Sequence, residues 1–275
     1  MKESRLYSFL ENDLGFNLHV LDGSKLLKDL TQIHNIGPNA LKYYKETVLS
    51  ALHMITFLKP GESLGVYIDS EEPYFRFKVE MNHSGSMRTL LLPEEFESFP
   101  QTLSGVARIS KIYNQKQPYT SIVQMSSDPT SDILNNILKD SYQTNSKIYL
   151  DDNSEHAIMI TKLPRKEIKK VVEDDLEIST IEEFKKNNSQ LISDIFNTKK
   201  IELQELVERV EKENFLYLHS KEVKFDCPCS LDRMTQNLMT LNQKDKEDVF
   251  DGKDSIEVRC DYCNTIYDVK KALLN

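Results

Sequence analysis

The chain predicts an α+β fold in three parts: an N-terminal sheet domain covered by helices, a charged helical linker, and a small C-terminal domain that carries every cysteine. Three observations predict it. Segments alternating apolar and polar residues recur through residues 1–164 between helical stretches, which places an α+β core there. From 165 to 214 the composition turns to charged helix formers, with no proline or glycine. All four cysteines fall in the last fifty residues, inside the third part, 215–275.

The elements follow in order. Leu41, Tyr44, Val48, Leu49, Leu52, Ile55 and Phe57 recur at three- and four-residue steps after Pro38, so a long amphipathic helix runs from Pro38 to Leu58. Phe75, Phe77, Val79 and Met81 alternate with Arg76, Lys78 and Glu80, the pattern of a half-buried strand. Ser63–Ile68, Met87–Leu92, Gly105–Ile112 and Tyr119–Met125 are further strands, rich in β-branched and aromatic residues. Asp128-Pro129 reads as an N-cap and first helical position, opening a helix through Ile133, Leu134, Ile137, Leu138 and Tyr142. Lys147–Leu150 and Ala157–Leu163 close the core as a hairpin around Asp151-Asp152-Asn153-Ser154.

The linker starts with the charge runs Lys166–Lys170 and Glu173–Asp175. Thr180-Ile181-Glu182-Glu183 fits a capping box, and Ile181, Phe184, Leu191, Ile192 and Ile195 follow at rough helical spacing. A second helix carries Leu203, Leu206, Val207 and Val210. Stripes this narrow on such charged helices cannot hold them alone, so both must dock on something, and the segment is expected to be metastable. In the last part, Phe215–Leu218 and Glu222–Phe225 are short strands leading to Cys227, Ser230 caps a helix with Met234, Leu238 and Leu241, and Ser255–Val258 is a strand entering Cys260.

The net charge of −9 argues against nucleic acid or an anionic membrane as partner, and no glycine-rich phosphate loop occurs among the eight glycines. The chain opens Met1-Lys2-Glu3 and has no apolar run long enough for a signal or a membrane span, so a soluble, cytoplasmic protein is expected. In that reducing compartment, thiols are available for metal or redox chemistry rather than a permanent disulfide framework.

Cys227-Pro228-Cys229 and Cys260-Asp261-Tyr262-Cys263 are two close pairs separated by thirty residues, Ser230 to Arg259. Two arms offering four sulfurs suit one tetrahedral zinc ion, which makes this a zinc-binding domain with Cys227, Cys229, Cys260 and Cys263 as ligands. About sixty residues with few large apolar side chains need such help to fold, and zinc binding to finger peptides is worth roughly 10 to 16 kcal/mol. Asn264, which tolerates a left-handed backbone, is placed to let backbone N–H groups face the sulfurs. Lys224, Arg233 and Arg259 lie near the thiolates in sequence and could offset their charge.

Spacing alone leaves several functions open. A purely structural zinc ribbon on a non-redox binding protein is one, since most closed four-sulfur sites are structural. A thioredoxin-like dithiol at Cys260 and Cys263 is another, lacking an evident strand-to-helix setting. A hydrolase would need a motif among His19, His34, His53, His83, His156 and His219, and none is recognisable, so no enzyme activity is expected.

Cys227-Pro228-Cys229-Ser230, the thirty-residue gap and Arg259-Cys260-Asp261-Tyr262-Cys263 closely resemble the signature of the 33-kDa chaperonin family. The resemblance extends over the whole chain, with Thr102–Ala107 and Tyr119–Leu150 falling where the family's sheet and covering helix are expected. It implies a redox-regulated, ATP-independent holdase chaperone of unfolded client proteins, inactive while reduced with one zinc ion per chain. It further implies that oxidation forms Cys227–Cys229 and Cys260–Cys263 disulfides, unfolds the switch domain and then the linker, and yields active homodimers. The arms should not oxidise equally easily: the C-x-C ring is smaller and stiffened by Pro228, so Cys260–Cys263 is expected to close first.

Overall fold

The computed structural model describes residues 3–71, 74–113, 117–130, 132–164 and 180–274. The charge runs at 166–170 and 173–175 lie outside the described residues. Two compact units form, Met1–Phe225 and Asp226–Asn275.

In the first unit, β1 (Arg5–Glu11) and β2 (Phe16–Asp22) precede α1 (Ser24–Ile33) and α2 (Pro38–Leu52), which tightens into a 3-10 turn over His53–Phe57. Next come β3 (Ser63–Ser70), β4 (Phe75–Asn82), β5 (Ser86–Leu92), β6 (Thr102–Ile112) and β7 (Tyr119–Pro129). After these follow α3 (Ile133–Asp140), β8 (Ser146–Leu150) and β9 (His156–Lys162). Beyond residue 179 the unit adds α4 (Ile181–Asn187), α5 (Ser189–Asn197), α6 (Leu203–Glu211), β10 (Phe215–Glu222) and β11 (Lys224–Phe225).

The strands form two sheets. One has the order β10-β1-β2-β9-β8 and is antiparallel throughout; the other runs β11-β5-β4-β3-β6-β7, with β11 parallel to β5. In β4 the predicted alternation holds: Phe75, Phe77, Val79 and Met81 are buried and their neighbours half-buried or exposed. Pro38 opens α2 at its first turn, where a missing N–H costs nothing. α1 and α2 share one apolar core with both sheets, Tyr43, Tyr44, Val48 and Leu52 meeting Phe75, Phe77 and Val79 from one sheet and Leu6 and Leu21 from the other.

The β10-β1-β2-β9-β8 sheet is buried on both faces. Leu6, Leu21 and Ala157 face the shared core, while Tyr7, Phe9, Phe16, Leu18, Val20, Ile158 and Ile160 form a second core under α4, α5 and α6. Ile181, Phe184, Leu191, Ile192, Ile195, Leu206 and Val210 supply the other half of that core. Docking is thus what holds the charged helices, as their narrow stripes require. Thr180 makes the predicted capping box, its hydroxyl accepting the Glu183 N–H at 3.2 Å and Glu183 Oε2 accepting the Thr180 N–H at 3.1 Å. The stretch read as one helix from Ile181 to Ile195 breaks at Asn188, whose side chain donates to the Phe184 carbonyl at 2.9 Å and competes with the helical ladder.

Two readings are corrected. Asp128-Pro129 ends β7 instead of opening a helix: Pro129 pairs with Thr102, and the Asp128 carboxylate accepts the Ser126 N–H at 2.8 Å in a turn where Ser127 has φ +61°. That local turn satisfies the aspartate, and α3 starts only at Ile133. The strands at 215–225, read as the start of the cysteine domain, belong to the first unit, because β10 pairs with β1 over its whole length and β11 adds to β5. Unpaired β1 and β5 edges are satisfied by this return of the chain.

The second unit contains α7 (Leu231–Met239), α8 (Gln243–Phe250) and a hairpin of β12 (Ser255–Arg259) and β13 (Ile266–Lys270). Among its described residues, the buried side chains are Thr235, Phe250, Cys260, Val269 and Leu274.

Candidate metal centre

Local structure places each cysteine. Ser230 caps α7 as predicted, accepting the Arg233 N–H at 3.2 Å, and this fixes where the extended segment bearing Cys227 and Cys229 must end. Asn242 caps α8 by accepting the Asp245 N–H at 2.9 Å, and Asp251 (φ +44°) and Gly252 (φ +74°) turn the chain back into β12. The β12–β13 hairpin then presents Cys260 and Cys263 in its loop. That loop is locked by the Cys260 N–H donating to the Thr265 carbonyl at 2.9 Å and the Asn264 N–H donating to the Cys260 carbonyl at 2.8 Å. Asn264 has φ +58°, the left-handed conformation expected of it.

All four sulfurs lie within 4.8 Å of one another and none is in a disulfide. Across the arms, Cys227 Sγ to Cys260 Sγ is 3.7 Å and Cys229 Sγ to Cys263 Sγ is 3.2 Å. A tetrahedral ion held by four sulfurs at about 2.3 Å gives edges of about 3.8 Å, so this cluster could hold a metal ion with shifts of a few tenths of an ångström. Cys260 is buried and the other three half-buried.

Two hydroxyls complete the site, and sequence reasoning did not find them. Tyr267 Oη lies 3.0 Å from Cys229 Sγ, and Cys263 Sγ lies 3.2 Å from Thr265 Oγ1. The available signal was their position, two and four residues after Cys263 on the strand leaving the loop. Lys224, near the thiolates in sequence, belongs to the first unit and pairs with Glu222 at 3.4 Å. Burial pushes the Cys260 thiol up despite the backbone N–H groups of Tyr262 and Cys263. Burial also acts to raise Cys263, but hydrogen bonds with Thr265, Cys229 and Cys260 outweigh it and bring the thiol down to about 7. Hydrogen bonding to Cys229 pushes the Tyr267 phenol up to about 12. His219, the histidine nearest the cysteines in sequence, sits in β10 opposite Ser8.

The family model described as Hsp33 protein matches residues 4–270. A curated relative named 33 kDa chaperonin, from Thermosipho melanesiensis, is 22% identical over 274 residues, 91% of this chain and 90% of its own length. The 33 kDa chaperonin of Aquifex aeolicus is 22% identical over 94% of this chain and 84% of its own length. The fold is that of the crystal structure of the 33 kDa chaperonin from Thermotoga maritima, with a TM-score of 0.75 at 19% identity, covering 99% of this chain and 97% of that one. With a match spanning nearly its whole length, the chain belongs to the Hsp33 family of chaperones.

Proposed function

We propose that the protein is a redox-regulated, ATP-independent holdase whose reduced, inactive state holds one zinc ion on Cys227, Cys229, Cys260 and Cys263. The observation that carries this reading is a four-thiol cluster gathered within 4.8 Å in a unit with almost no apolar core of its own. Four soft sulfur donors favour zinc among common cytoplasmic ions, and the unit's folding then depends on them.

Oxidation would use each arm separately. A thiolate of the Cys260–Cys263 pair attacks the O–O bond of hydrogen peroxide, giving a sulfenic acid and releasing hydroxide; the second thiol then attacks the sulfenic sulfur, and its proton leaves with the displaced hydroxide as water as the disulfide forms. Two electrons pass from sulfur to peroxide. The same chemistry at Cys227 and Cys229 completes the change. Disulfides within each arm would take all four thiolates from the ion, so oxidation and metal release would be coupled. Loss of that unit would release the docked helices of 180–211 and uncover the apolar face of β1, β2 and β9, which offers a surface for unfolded clients. Dimers in the active state, a cytoplasmic setting and the absence of catalysis complete the proposal.

The test measures zinc release and suppression of light scattering from an unfolding client, before and after peroxide, on the wild type and Cys260→Ser. The wild type should lose about one zinc per chain and gain suppression only after oxidation, with Cys260–Cys263 appearing first in mass mapping, and the variant should not respond in this way. Oxidised wild type that keeps its zinc and never suppresses aggregation would instead favour a permanent structural ribbon.

A further inference from the structure

The histidines that look scattered in the sequence are partly brought together by the fold. His219, Ser8 and His19 occupy one row across β10, β1 and β2, and Ser8 Oγ lies 3.0 Å from His19 Nδ1. These residues line a cleft of about 830 Å³ within the first unit, whose accessible apolar lining includes the half-buried Phe57 and Leu163 and the exposed Leu218. His83 and Lys221 stand at its rim, close enough for the ammonium of Lys221 to depress His83, after burial, as His219 also does.

Charge singles this cleft out. The chain has 44 carboxylates in 275 residues, so nineteen positions at that frequency would carry about three; the nineteen described residues lining the cleft carry none. Glu62 is the carboxylate that His83 senses, and it is already held by Lys111 Nζ at 2.7 Å and the Lys59 N–H at 2.7 Å. Lys162 is committed elsewhere, its ammonium lying 5.7 Å from the Phe16 ring centre. Lys221 is different: it is half-buried, it has no ion-pair partner among the described residues, and burial lowers its pKa. A cation held in this way, beside imidazoles that can donate, is complementary to an anion.

The geometry points to a binding site for a small amphipathic carboxylate, its charged end on Lys221, His83 and His219 and its aliphatic body along Phe57, Leu163 and Leu218. The volume lies in the range of small-molecule sites and the walls combine apolar area with a few convergent polar groups. The site is independent of the cysteines and lies wholly in the first unit.

Calorimetry on the reduced, metal-loaded full chain with decanoate, and with decanol as the neutral probe of the same body, tests it. Decanoate should bind one per chain, at least tenfold tighter than decanol. Lys221→Met, which keeps the stem and removes the charge, should weaken decanoate about tenfold and leave decanol unchanged, while Lys244→Met in the second unit changes neither. Chemical-shift changes on titration should fall on His83, His219 and Leu218. Equal affinity for the two probes, decanoate binding indifferent to Lys221→Met, or shifts confined to other surfaces would each overturn the assignment.

Discussion

His53 is fully enclosed and His19 is buried at the edge of the cleft, and their surroundings make the chain sensitive to acid. Burial, with His219 for the first and His19 for the second, pushes them down to about 4 and about 3. Neither nitrogen of His53 has a hydrogen-bond partner among the described residues. Unfolded, both would bind protons near pH 6.5, so between there and pH 4 the unfolded chain holds more protons and stability falls as pH falls. At pH 5 each group should cost about 2 kcal/mol relative to pH 7. Urea midpoints at pH 7, 6 and 5 check this; His53→Leu should flatten the slope by about half, and an unchanged slope would show that other groups carry it. At this scale the sequence was informative where geometry is local. Asn264 was legible because a left-handed backbone selects few residues, whereas the Tyr267 hydroxyl reaches the sulfur of Cys229, distant in sequence, and no local pattern announces that.

Among elements, strands with a polar period or a marked turn beside them were found, β9 included, and β1 and β2 were missed. β1 and β2 are buried on both faces, so Leu6, Tyr7, Ser8 and Phe9 run without a polar period, and an apolar run of that length reads as neither strand nor helix. The same double burial gives the linker helices their support. Phe184 is the centre of it, stacked on Phe16 at 4.1 Å between ring centres and edge-on to Phe215 at 5.8 Å. A Phe184→Ala change should cost about 3 to 5 kcal/mol of docking, enough to detach α4 and α5 while the sheets stay folded. Hydrogen exchange of the reduced variant should show protection lost over 181–197 and kept in β2 and β9, with a rise in binding of an apolar dye. Uniform loss across both sheets would mean that the helices are part of the cooperative core, and no separate release step would exist.

For the whole molecule, composition divided the chain by chemistry and the fold divides it by contacts. The cysteine-bearing part begins at Asp226 by contact, eleven residues later than composition suggested, because β10 and β11 pair with β1 and β5, strands from the first third of the chain. Such pairing between distant segments leaves no local trace. It has an energetic consequence, since the second unit is left with fifty residues, Asp226–Asn275, and hardly any buried apolar side chains. A unit that small rarely folds on burial alone, so its stability should come from the four sulfurs and whatever ion they hold. Removing metal from the reduced chain with a tight chelator should therefore unfold residues 226–274 and leave the first unit's cores intact. Hydrogen exchange should show α7, α8 and the β12–β13 hairpin unprotected, with β2, β4 and β9 unchanged, and equimolar zinc should restore them. If the hairpin keeps its protection after chelation, the thiol and hydroxyl contacts suffice to fold the unit, and metal loss could not act as its trigger.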